Sequence, residues 1–555
     1  MLERIKNYFR KICRKLSREE LTIRLMGIRK SREDASEPGV VIIQVDGLSF
    51  SQLRKGLSRA RLPFMQSLIN RYRFSLKPFY SGQPSTTPAV QGELFYGVKA
   101  AVPAFAFIDR SLGQRQVMFY PASAGKVAGE LAQTGGTPLL KKGASYSNIY
   151  IGGADEARYC VEAMNLESLL QSLNPLKFVL LALLHVFKVF RVLGVSILEL
   201  VIAVWDLVKG VGDGKNFAKE LKFVPSRVFI CIVLRELIRF RVKMDLAQGV
   251  PVIHANFTGY DEQAHRRGPG SSFAHWTLKG IDWVIEDIHR QACHSGRRDY
   301  RLIVFSDHGQ EAVRTYGAGT DKDLRKKVWE AVRQIVPAVD PDSDADGVNG
   351  FQYLYSRARV LWPWFRRNQS EEESPAPDIS IDGIRIAAMG PLGHIYLSMP
   401  LGREKYRSLA RLLVTEADIP LVLFKNEQDG VISAVTNRGI FDLEKDKAEI
   451  LGYEHPFINE TAEDLKAVVY HANAGDLIIS GWSPHQTPLS FAIENGAHGG
   501  PGIEETRGFV LLPEKTDADK SFLRPLDLRH VVASIMHDHG TSASSVMHCA
   551  NQRRP

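Results

Sequence analysis

The chain has 555 residues, with 71 Lys and Arg against 62 Asp and Glu, so its formal net charge is +9. This length exceeds one ordinary domain, and the apolar and charged fractions of 44% and 24% are ordinary for a globular protein. The basic excess favours anionic partners, but zinc-finger spacing, an RNA-binding aromatic signature and long basic runs are all missing, so no nucleic-acid partner is indicated. The five scattered cysteines are typical of buried or free thiols and not of a disulfide framework: Cys13, Cys160, Cys231, Cys293 and Cys549.

The first 30 residues contain ten Lys and Arg, three Glu, and apolar residues at three- and four-residue steps. Leu2, Ile5, Phe9 and Ile12 would share one face of a basic amphipathic helix. Such a helix could lie on an anionic membrane surface, dock on the domain or stay solvated. The segment lacks the apolar core of a secretory signal, so we expect a protein at the cytoplasmic face of a membrane or peripheral to it. Residues 1–37 are interpreted as this segment plus a polar linker.

Three apolar runs predict buried parallel strands, and each leads into acidic or imidazole side chains. Residues 40–45 (VVIIQV) end at Asp46, and residues 301–306 (RLIVFS) end at Asp307 and His308. Residues 251–257 (PVIHANF) lead into Asp261 and His265. Ligands of open α/β sheets bind beyond the carboxyl ends of the strands, so these side chains are expected to meet there.

The candidate ligands have the chemistry of a zinc site. Asp261 and His265 are spaced i, i+4, so they point the same way if that turn is helical. His498, in ENGAHGG, adds a third imidazole. Carboxylate oxygens and imidazole nitrogens suit zinc, and two metals about 4 Å apart can hold the attacking and leaving oxygens of an in-line displacement. We therefore expect two divalent cations, with Zn²⁺ as the first choice.

A hydroxyl near these ligands could serve as a nucleophile, because a metal lowers the pKa of a bound hydroxyl. Thr86, in QPSTTPAVQ, is the first candidate and Thr87 the second. Each feature has an ordinary alternative: an Asp after a strand can cap a helix, DHG can be a turn, and Thr86 alone can be an N-cap. The ordered set of all of them favours the metal site.

At this point the chain resembles the alkaline phosphatase superfamily, in particular its type I phosphodiesterase/nucleotide pyrophosphatase branch. The resemblance rests on the segments VDGLS, PSTTPA, GYDEQAHRRGP, FSDHG and AHGG, which are spread over residues 40–500. It implies an α/β fold, in which an alkaline phosphatase-like core places a mostly parallel sheet between helices. The catalytic domain would span residues 38–513.

The resemblance also implies a role for each residue. Asp46, Thr86, Asp307 and His308 would surround one zinc, and Asp261, His265 and His498 the other. The family nucleophile stands two residues before a proline, which selects Thr86 because Pro88 follows.

One family feature is missing from the expected place. Nucleotide pyrophosphatases carry a Gly-Asn element after the nucleophile helix, and the stretch LFYGVKAAVPAFAFIDR contains no Asn. The resemblance therefore leaves nucleotide specificity open, and backbone N–H groups at a helix N-terminus near Thr86 could take over the oxyanion role. Arg110 is a further candidate, although a surface arginine is the simpler interpretation.

Residues 174–210 form an unusually apolar segment, which nevertheless contains no uncharged run of 18 residues, so a simple transmembrane helix is not indicated. At 100° per residue its polar residues fall within an arc of roughly 120°. These are Lys177, His185, Lys188, Arg191, Glu199 and Asp206. The pattern predicts one long helix with a wide apolar face, which we expect to insert into a membrane interface. A buried helical hairpin or a dimer interface are the alternatives.

The remaining segments complete the predicted organisation. A second apolar-basic segment at 227–243 would finish a helical hairpin inserted at residues 170–245. Residues 386–400 are expected to form a strand pair with a structural His394, and residues from about 401 to 480 a small α/β cap with LVLFK and GVISAV as strands. Residues 514–555 would be a C-terminal helix and tail.

These observations predict a metal-dependent hydrolase of phosphodiester or pyrophosphate bonds in small, nucleotide-like substrates, acting through a phospho-threonine intermediate and associated with a membrane surface. Phosphomonoester or sulfate-ester hydrolysis on the same metal core is the first alternative, although the C-x-P-x-R motif of sulfatases is missing at residues 84–90. A non-catalytic membrane scaffold and a homo-oligomer are further alternatives.

Overall fold

The computed structural model describes residues 37–163, 186–212, 228–295, 297–318, 323–335, 380–381, 384–426, 429–514, 516 and 520–537. The predicted N-terminal amphipathic helix, residues 174–185 of the apolar segment and the tail after residue 537 lie outside these ranges.

A central sheet of seven strands dominates the fold. Its strands are β1 (Gly39–Val45), β2 (Ser75–Tyr80), β5 (Ala144–Tyr146), β6 (Glu156–Arg158), β7 (Val252–Phe257), β8 (Tyr300–Phe305) and β20 (Arg507–Leu512). Their order is β2-β20-β8-β1-β7-β5-β6, and β20 alone runs against the others. The predicted α/β fold with a mostly parallel sheet is therefore confirmed. All three predicted strands are present as neighbours in the centre, β8-β1-β7.

Helices cover both faces of this sheet. The helices along the first part of the chain are α1 (Phe50–Ser58), α2 (Pro63–Asn70), α3 (Thr87–Tyr96), α4 (Pro121–Thr134), α5 (Val186–Gly212), α6 (Arg235–Gln248), α7 (Gly259–Arg267) and α8 (Ser272–Cys293). Successive side chains of a strand point to opposite faces. Val40 and Ile42 of β1 accordingly pack in the core shared with α3, whereas Val41 and Ile43 pack in the core shared with α8. This explains why the β1 sequence is apolar at nearly every position.

A second sheet of seven strands is antiparallel throughout. It consists of β11 (Ser380–Ile381), β12 (Ile384–Met389), β13 (Leu392–Leu397), β14 (Leu421–Lys425), β15 (Ile432–Thr436), β16 (Gly439–Asp442) and β17 (Leu477–Ser480). The strand pair predicted at 386–400 is confirmed as β12 and β13. LVLFK is β14, and β15 covers most of GVISAV. That this part of the chain acts as a cap stays a prediction.

Short strands and further helices fill the remaining described ranges. The strands are β3 (Ala106–Asp109), β4 (Gln114–Val117), β9 (Glu311–Ala312), β10 (Arg314–Thr315), β18 (Leu489–Ser490) and β19 (Gly496–Ala497). The helices are α9 (Leu324–Ile335), α10 (Arg403–Thr415), α11 (Lys447–Leu451), α12 (Ile458–Val469), α13 (Ile503–Thr506) and α14 (Pro525–His537).

The sheets are joined by a buried ion cluster. Arg524 binds the Glu93 carboxylate of α3 with two hydrogen bonds, at 2.7 and 3.0 Å, and lies 3.2 Å from Asp464 of α12. Tyr80, at the end of β2, donates to the same Asp464. A buried charge is stabilised only when it is paired, and these pairs fix α3 against α12.

The apolar segment differs from its simplest prediction. Residues 186–212 form α5, as predicted, and residues 229–234 form a π-helix that continues into α6. Leu234, Ile238 and Val242 pack in the main core, so the second half of the predicted hairpin is part of the domain interior. The large apolar side chains of α5 described between residues 190 and 205 are instead exposed. This contradicts a helix buried within the protein, because α5 docks through Glu199 and Ala203.

Among the described residues, no helix combines the length and apolar character needed to cross a membrane. Within the same ranges, Cys160, Cys231 and Cys293 are free thiols, as predicted. The imidazole of His394 is buried between the Pro103 carbonyl and the Gly475 N–H, which confirms a structural role. Arg110 pairs with Asp476 at 2.9 Å on the surface, which agrees with the simpler interpretation of this residue.

Candidate active site

The three central strands end side by side and bring the predicted acidic side chains together. β1 pairs in parallel with β7 and with β8, so their carboxyl ends share one edge of the sheet. Asp46 follows β1, and Asp307 and His308 follow β8. Each of these three side chains is at most 1% exposed. Buried charges of this kind require compensation by partners or by a cation.

The turn after β7 is helical, as the i, i+4 spacing predicted. α7 carries Asp261 and His265 on one face, with 3.5 Å between Asp261 Oδ2 and His265 Nε2. His498 comes from the loop after β19, and its Nε2 lies 3.7 Å from Asp261 Oδ1. The sheet edge, α7 and a distant loop thus converge on one buried site.

Two groups in this site have the geometry of metal ligands. Asp46, Asp307 and His308 offer one set of ligand atoms within 4.8 Å of one another, and Asp261, His308 and His498 offer another. The His308 and His498 rings stack at 3.7 Å between centroids. The six residues predicted from the sequence are therefore all brought together. In the structure His308 belongs to both groups, whereas the resemblance assigned it to one.

Each imidazole is oriented by a partner on its Nδ1 atom. His265 Nδ1 lies 2.8 Å from the Glu494 carboxylate and 2.9 Å from the Gly496 carbonyl. His308 Nδ1 lies 3.0 Å from the Gly309 carbonyl, and His498 Nδ1 3.0 Å from the Ser85 carbonyl. Since a carbonyl only accepts, each Nδ1 carries the proton and Nε2 is the atom presented to the site. Metal-binding histidines are commonly fixed in this way.

The carboxylates have their own supports. Asn256 donates from Nδ2 to Asp46 Oδ2 at 2.8 Å, and Gln310 donates from Nε2 to Asp261 Oδ1 at 2.6 Å. Neither oxygen of the buried Asp307 accepts a hydrogen bond from the described residues. An orphaned carboxylate at this depth fits a cation that completes its coordination.

Gly47 permits the close approach of the two groups. Its backbone has φ of +72°, a conformation that side chains disfavour. A Cβ atom at this position would also lie 2.5 Å from Asp261 Oδ1. The glycine after Asp46 is therefore needed both for the turn and for the packing against α7.

The electrostatics divide the site into anionic and neutral ligands. Burial alone would raise the pKa of Asp261, but the imidazoles of His265, His498 and His308 hold it below its ordinary value. Burial and the neighbouring His308 lower the pKa of His498 well below its ordinary value, so its imidazole is neutral at pH 7. Burial would lower the pKa of His265, but the Asp261 and Glu494 carboxylates raise it well above its ordinary value. A cation would replace the proton held between these groups.

The two candidate nucleophiles, Thr86 and Thr87, lie in different surroundings. The Thr87 hydroxyl lies 3.2 Å from His308 Nε2 and 3.5 Å from Asp46 Oδ1, inside the ligand cluster. Thr86 is the N-cap of α3, and its buried hydroxyl contacts no hydrogen-bond partner among the described residues. Thr86 precedes the first turn of α3 and Thr87 is its first residue, so the two side chains project in different directions. The structure thus places the Thr87 hydroxyl among the candidate ligands, and the identity of the nucleophile stays a prediction.

Several supporting residues were missed in the sequence. Asn256, Gln310 and Glu494 orient ligands, and each stands close in the chain to a predicted ligand or strand. Asn148, after β5, is a buried amide that accepts a hydrogen bond from Gln91, one helical turn beyond Thr87. Asn148 is separated in the chain from residues 94–110, where the resemblance places an Asn, by β4 and α4.

Comparisons with known proteins agree with the resemblance. Residues 231–358 match the sequence model of the type I phosphodiesterase / nucleotide pyrophosphatase family. This stretch contains Asp261, His265, Asp307 and His308, and its match agrees with the resemblance over these residues. No curated protein sequence matches the chain.

The solved structures that the chain matches are distant from it in sequence and have TM-scores below 0.5. Two structures of phosphonoacetate hydrolase from Sinorhizobium meliloti 1021, in complex with phosphonoformate and with phosphonoacetate, have TM-scores of 0.43 and 0.45 at 14% identity. Each alignment covers 90% of this chain and 96% of the hydrolase. Murine ectonucleotide pyrophosphatase / phosphodiesterase 5, in an inactive form in complex with AMP, has a TM-score of 0.40 at 12% identity, covering 90% of this chain and 95% of that protein.

Proposed function

We propose that this protein is a metal-dependent hydrolase of phosphodiester or pyrophosphate bonds that uses Thr87 as its nucleophile. The family match over residues 231–358 supports phosphoester hydrolysis. The observation that carries the finer proposal is the Thr87 hydroxyl, 3.2 Å from His308 Nε2 within a buried group of metal ligands.

The ligand sets suit two divalent cations. Asp46, Asp307 and His308 would hold one, and Asp261, His265 and His498 the other, with Zn²⁺ favoured by the mixture of oxygen and imidazole nitrogen. Such ions lower the pKa of a bound hydroxyl and neutralise charge that develops on phosphoryl oxygens.

The chain's own groups define the two chemical steps. In the first, a bond forms between Thr87 Oγ1 and phosphorus while the bond from phosphorus to the leaving oxygen breaks. In the second, water attacks phosphorus and the bond to Oγ1 breaks, which restores Thr87 and releases the second product. The first turn of α3 lies beside the reacting atoms, and its N-terminal dipole favours the anionic phosphoryl group. Asn256 and Gln310 keep Asp46 and Asp261 in place during both steps.

The two adjacent threonines allow a matched test. We expect Thr87→Ala to reduce hydrolysis of bis-p-nitrophenyl phosphate by the zinc-loaded protein on the order of 10³-fold or more. Thr86→Ala should stay close to wild type, because the Thr86 side chain makes no capping hydrogen bond. A chelator should abolish turnover, and zinc should restore it.

The same comparison decides between the alternatives. Equal loss in Thr86→Ala, with Thr87→Ala active, would return the nucleophile to Thr86. If the diester is inert but p-nitrophenyl phosphate or p-nitrophenyl sulfate is hydrolysed, the enzyme is a monoesterase or a sulfate-ester hydrolase. A protein that neither turns over any of these esters nor binds zinc would be a scaffold.

We also propose that the enzyme works at a membrane surface, at the cytoplasmic face or as a peripheral protein. The apolar segment and the basic N-terminal sequence support this location. A homo-oligomer formed through the apolar segment is the competing arrangement.

A further inference from the structure

The apolar side of α5 faces outward, which reverses the usual orientation of a surface helix. Eight large apolar side chains of this helix are between 45% and 69% exposed. They are Phe190, Leu193, Ile197, Leu198, Leu200, Val201, Val204 and Trp205. At 100° per residue they occupy an arc of roughly 160° along one side of the helix. We call this surface the α5 apolar face.

The opposite side of α5 attaches the helix to the protein. Glu199 and Ala203 are each 2% exposed, and both lie about 180° to 220° around the helix from the centre of the apolar face. This side packs against the π-helix at Phe229–Leu234. α5 therefore buries a carboxylate and a small residue where it meets the π-helix, and the apolar side chains of the opposite side are exposed among the described residues.

The exposed area of the α5 apolar face indicates that it binds a partner. Its exposed side chains present on the order of 800 Å² of mostly apolar surface, whereas the largest patch of a soluble monomer is typically about 300–600 Å². Surfaces of that size are covered by another protein or by lipid.

The distribution of charge in the sequence identifies the kind of partner. Residues 174–227, which include α5, hold eight Lys and Arg and four Asp and Glu, a net charge of +4. Residues 1–30 hold ten Lys and Arg and three Glu, a net charge of +7. Because the whole chain carries +9, all other residues together carry −2. Residues 1–30 and 174–227 thus carry a net charge of +11 together, and the rest of the chain is slightly acidic.

We infer that the α5 apolar face docks on an anionic lipid surface. An exposed apolar face on a segment of net positive charge matches the acyl boundary and the anionic headgroups of such a surface. A second copy of the chain would instead bring two segments of like charge together, which opposes association. This inference deepens the membrane location proposed above and rests on it, but it does not depend on the proposed chemistry.

The docking surface is connected to the candidate active site by one element. The π-helix under α5 places Cys231 Sγ 3.8 Å from the Gly259 carbonyl at the start of α7 and 3.5 Å from Gln263 Nε2. α7 carries Asp261 and His265. Docking through α5 would therefore hold the ligand-bearing helix close to the lipid surface, where phosphodiesters of lipid headgroups or of membrane-bound molecules are presented.

The test is flotation of the full-length protein with phosphatidylcholine vesicles that either contain or lack phosphatidylglycerol. We expect binding to the anionic vesicles, weaker binding to the neutral ones, and release at high salt. The double variant Ile197→Glu/Val201→Glu should lose binding by about tenfold or more, since both side chains are exposed and are carried into the apolar boundary. The matched control is Leu112→Glu/Met399→Glu, which changes two equally exposed apolar residues away from α5.

Each outcome has a defined meaning. Equal binding to neutral and anionic vesicles would overturn the anionic preference, and equal flotation of the two double variants would overturn the assignment to α5. A wild-type protein that binds neither vesicle, and is a dimer that the α5 variant converts to a monomer in light scattering, would make the face a subunit interface. Hydrolysis of soluble bis-p-nitrophenyl phosphate, measured on the same samples, separates these failures from a failure of the proposed chemistry. It should be unchanged in both double variants.

Discussion

The candidate active site and α5 both depart from the usual arrangement of polar groups outside and apolar groups inside. The site buries three carboxylates and three imidazoles at the edge of the central sheet, whereas α5 exposes eight large apolar side chains and buries a glutamate. The buried carboxylates and imidazoles of the site are removed from water and need a compensating charge. The exposed apolar side chains of α5 are in water, although an apolar environment would be more favourable for them. We propose that a component outside the chain compensates for each departure, a cation in one case and lipid in the other.

The largest expected effect concerns Asp307, whose buried carboxylate lies 3.4 Å from His308 Nε2. Asp307→Asn should reduce kcat/KM for bis-p-nitrophenyl phosphate by at least about 10³-fold, or roughly 4 kcal/mol of transition-state stabilisation, because a charged ligand of the Asp46–Asp307–His308 group is lost. Zinc content per chain, measured on the purified variant, should fall as well.

Removal of the buried negative charge at Asp307 should leave the fold intact or more stable without metal. A variant that keeps its activity within tenfold and its full zinc content would show that this buried carboxylate is not a ligand. Its burial would then no longer support a cation in the candidate active site.

The second prediction concerns the loss of stability that results from burying the Glu505 carboxylate. Burial raises the pKa of Glu505 to about 8, and its carboxylate accepts from the N–H groups of Gly500 and Gly502. A carboxyl group with a raised folded-state pKa stabilises the fold fully below its ordinary pKa of 4.5, and this contribution is lost as the pH rises through about 8. At about 1.4 kcal/mol for each pKa unit, the loss amounts to a few kcal/mol.

We therefore expect the free energy of unfolding of chelator-treated protein to fall between about pH 5 and pH 9, with a smaller slope in Glu505→Gln. Urea titrations across this range measure both slopes. The variant should be less stable at low pH, because an amide cannot accept both backbone hydrogen bonds. Identical slopes would mean that Glu505 is not protonated in the folded protein.

The smallest expected effect tests the orientation of an imidazole. Glu494→Gln should weaken zinc binding by about 10- to 100-fold, because the carboxylate 2.8 Å from His265 Nδ1 increases the basicity of the ring. Competition with a chromophoric chelator measures this affinity without relying on turnover. Glu504→Gln is the control, since Glu504 contacts Ser49 and no ligand. If both variants bind zinc equally, the Glu494 contact is structural only.

The sequence was sufficient to predict the strands and the side chains that meet at their ends, because both are local signals. An apolar run such as residues 40–45 requires burial on both faces, and an acidic residue directly after it must lie at the strand's end. The i, i+4 spacing of Asp261 and His265 likewise needed only a helical turn. These features depend on short-range geometry, which composition and spacing describe well.

The nucleophile and the orientation of α5 depend on contacts that are distant in the sequence. A proline two residues later does not determine which of two adjacent threonines faces the ligands, because that is set by where α3 begins relative to β1 and β8. Similarly, periodicity defines an apolar and a polar side of α5 but not which side faces the protein. The contact of Glu199 and Ala203 with the π-helix decides this, and it is formed between residues about 30 apart.

Gly47 has a consequence for how the site can change. With φ of +72° and no side chain, it allows the turn after Asp46 to pack directly against the Asp261 carboxylate. The width of the site is therefore set by the contact between the Gly47 main chain and the Asp261 side chain. Gly47 has no side chain that could change its rotamer to widen it. A wider distance between these two groups, for a larger cation or a bulkier phosphoryl group, could not be obtained by substituting the candidate ligands alone. A wider gap would require a different main-chain path after β1, so Gly47 limits how far apart the two groups of candidate ligands can lie.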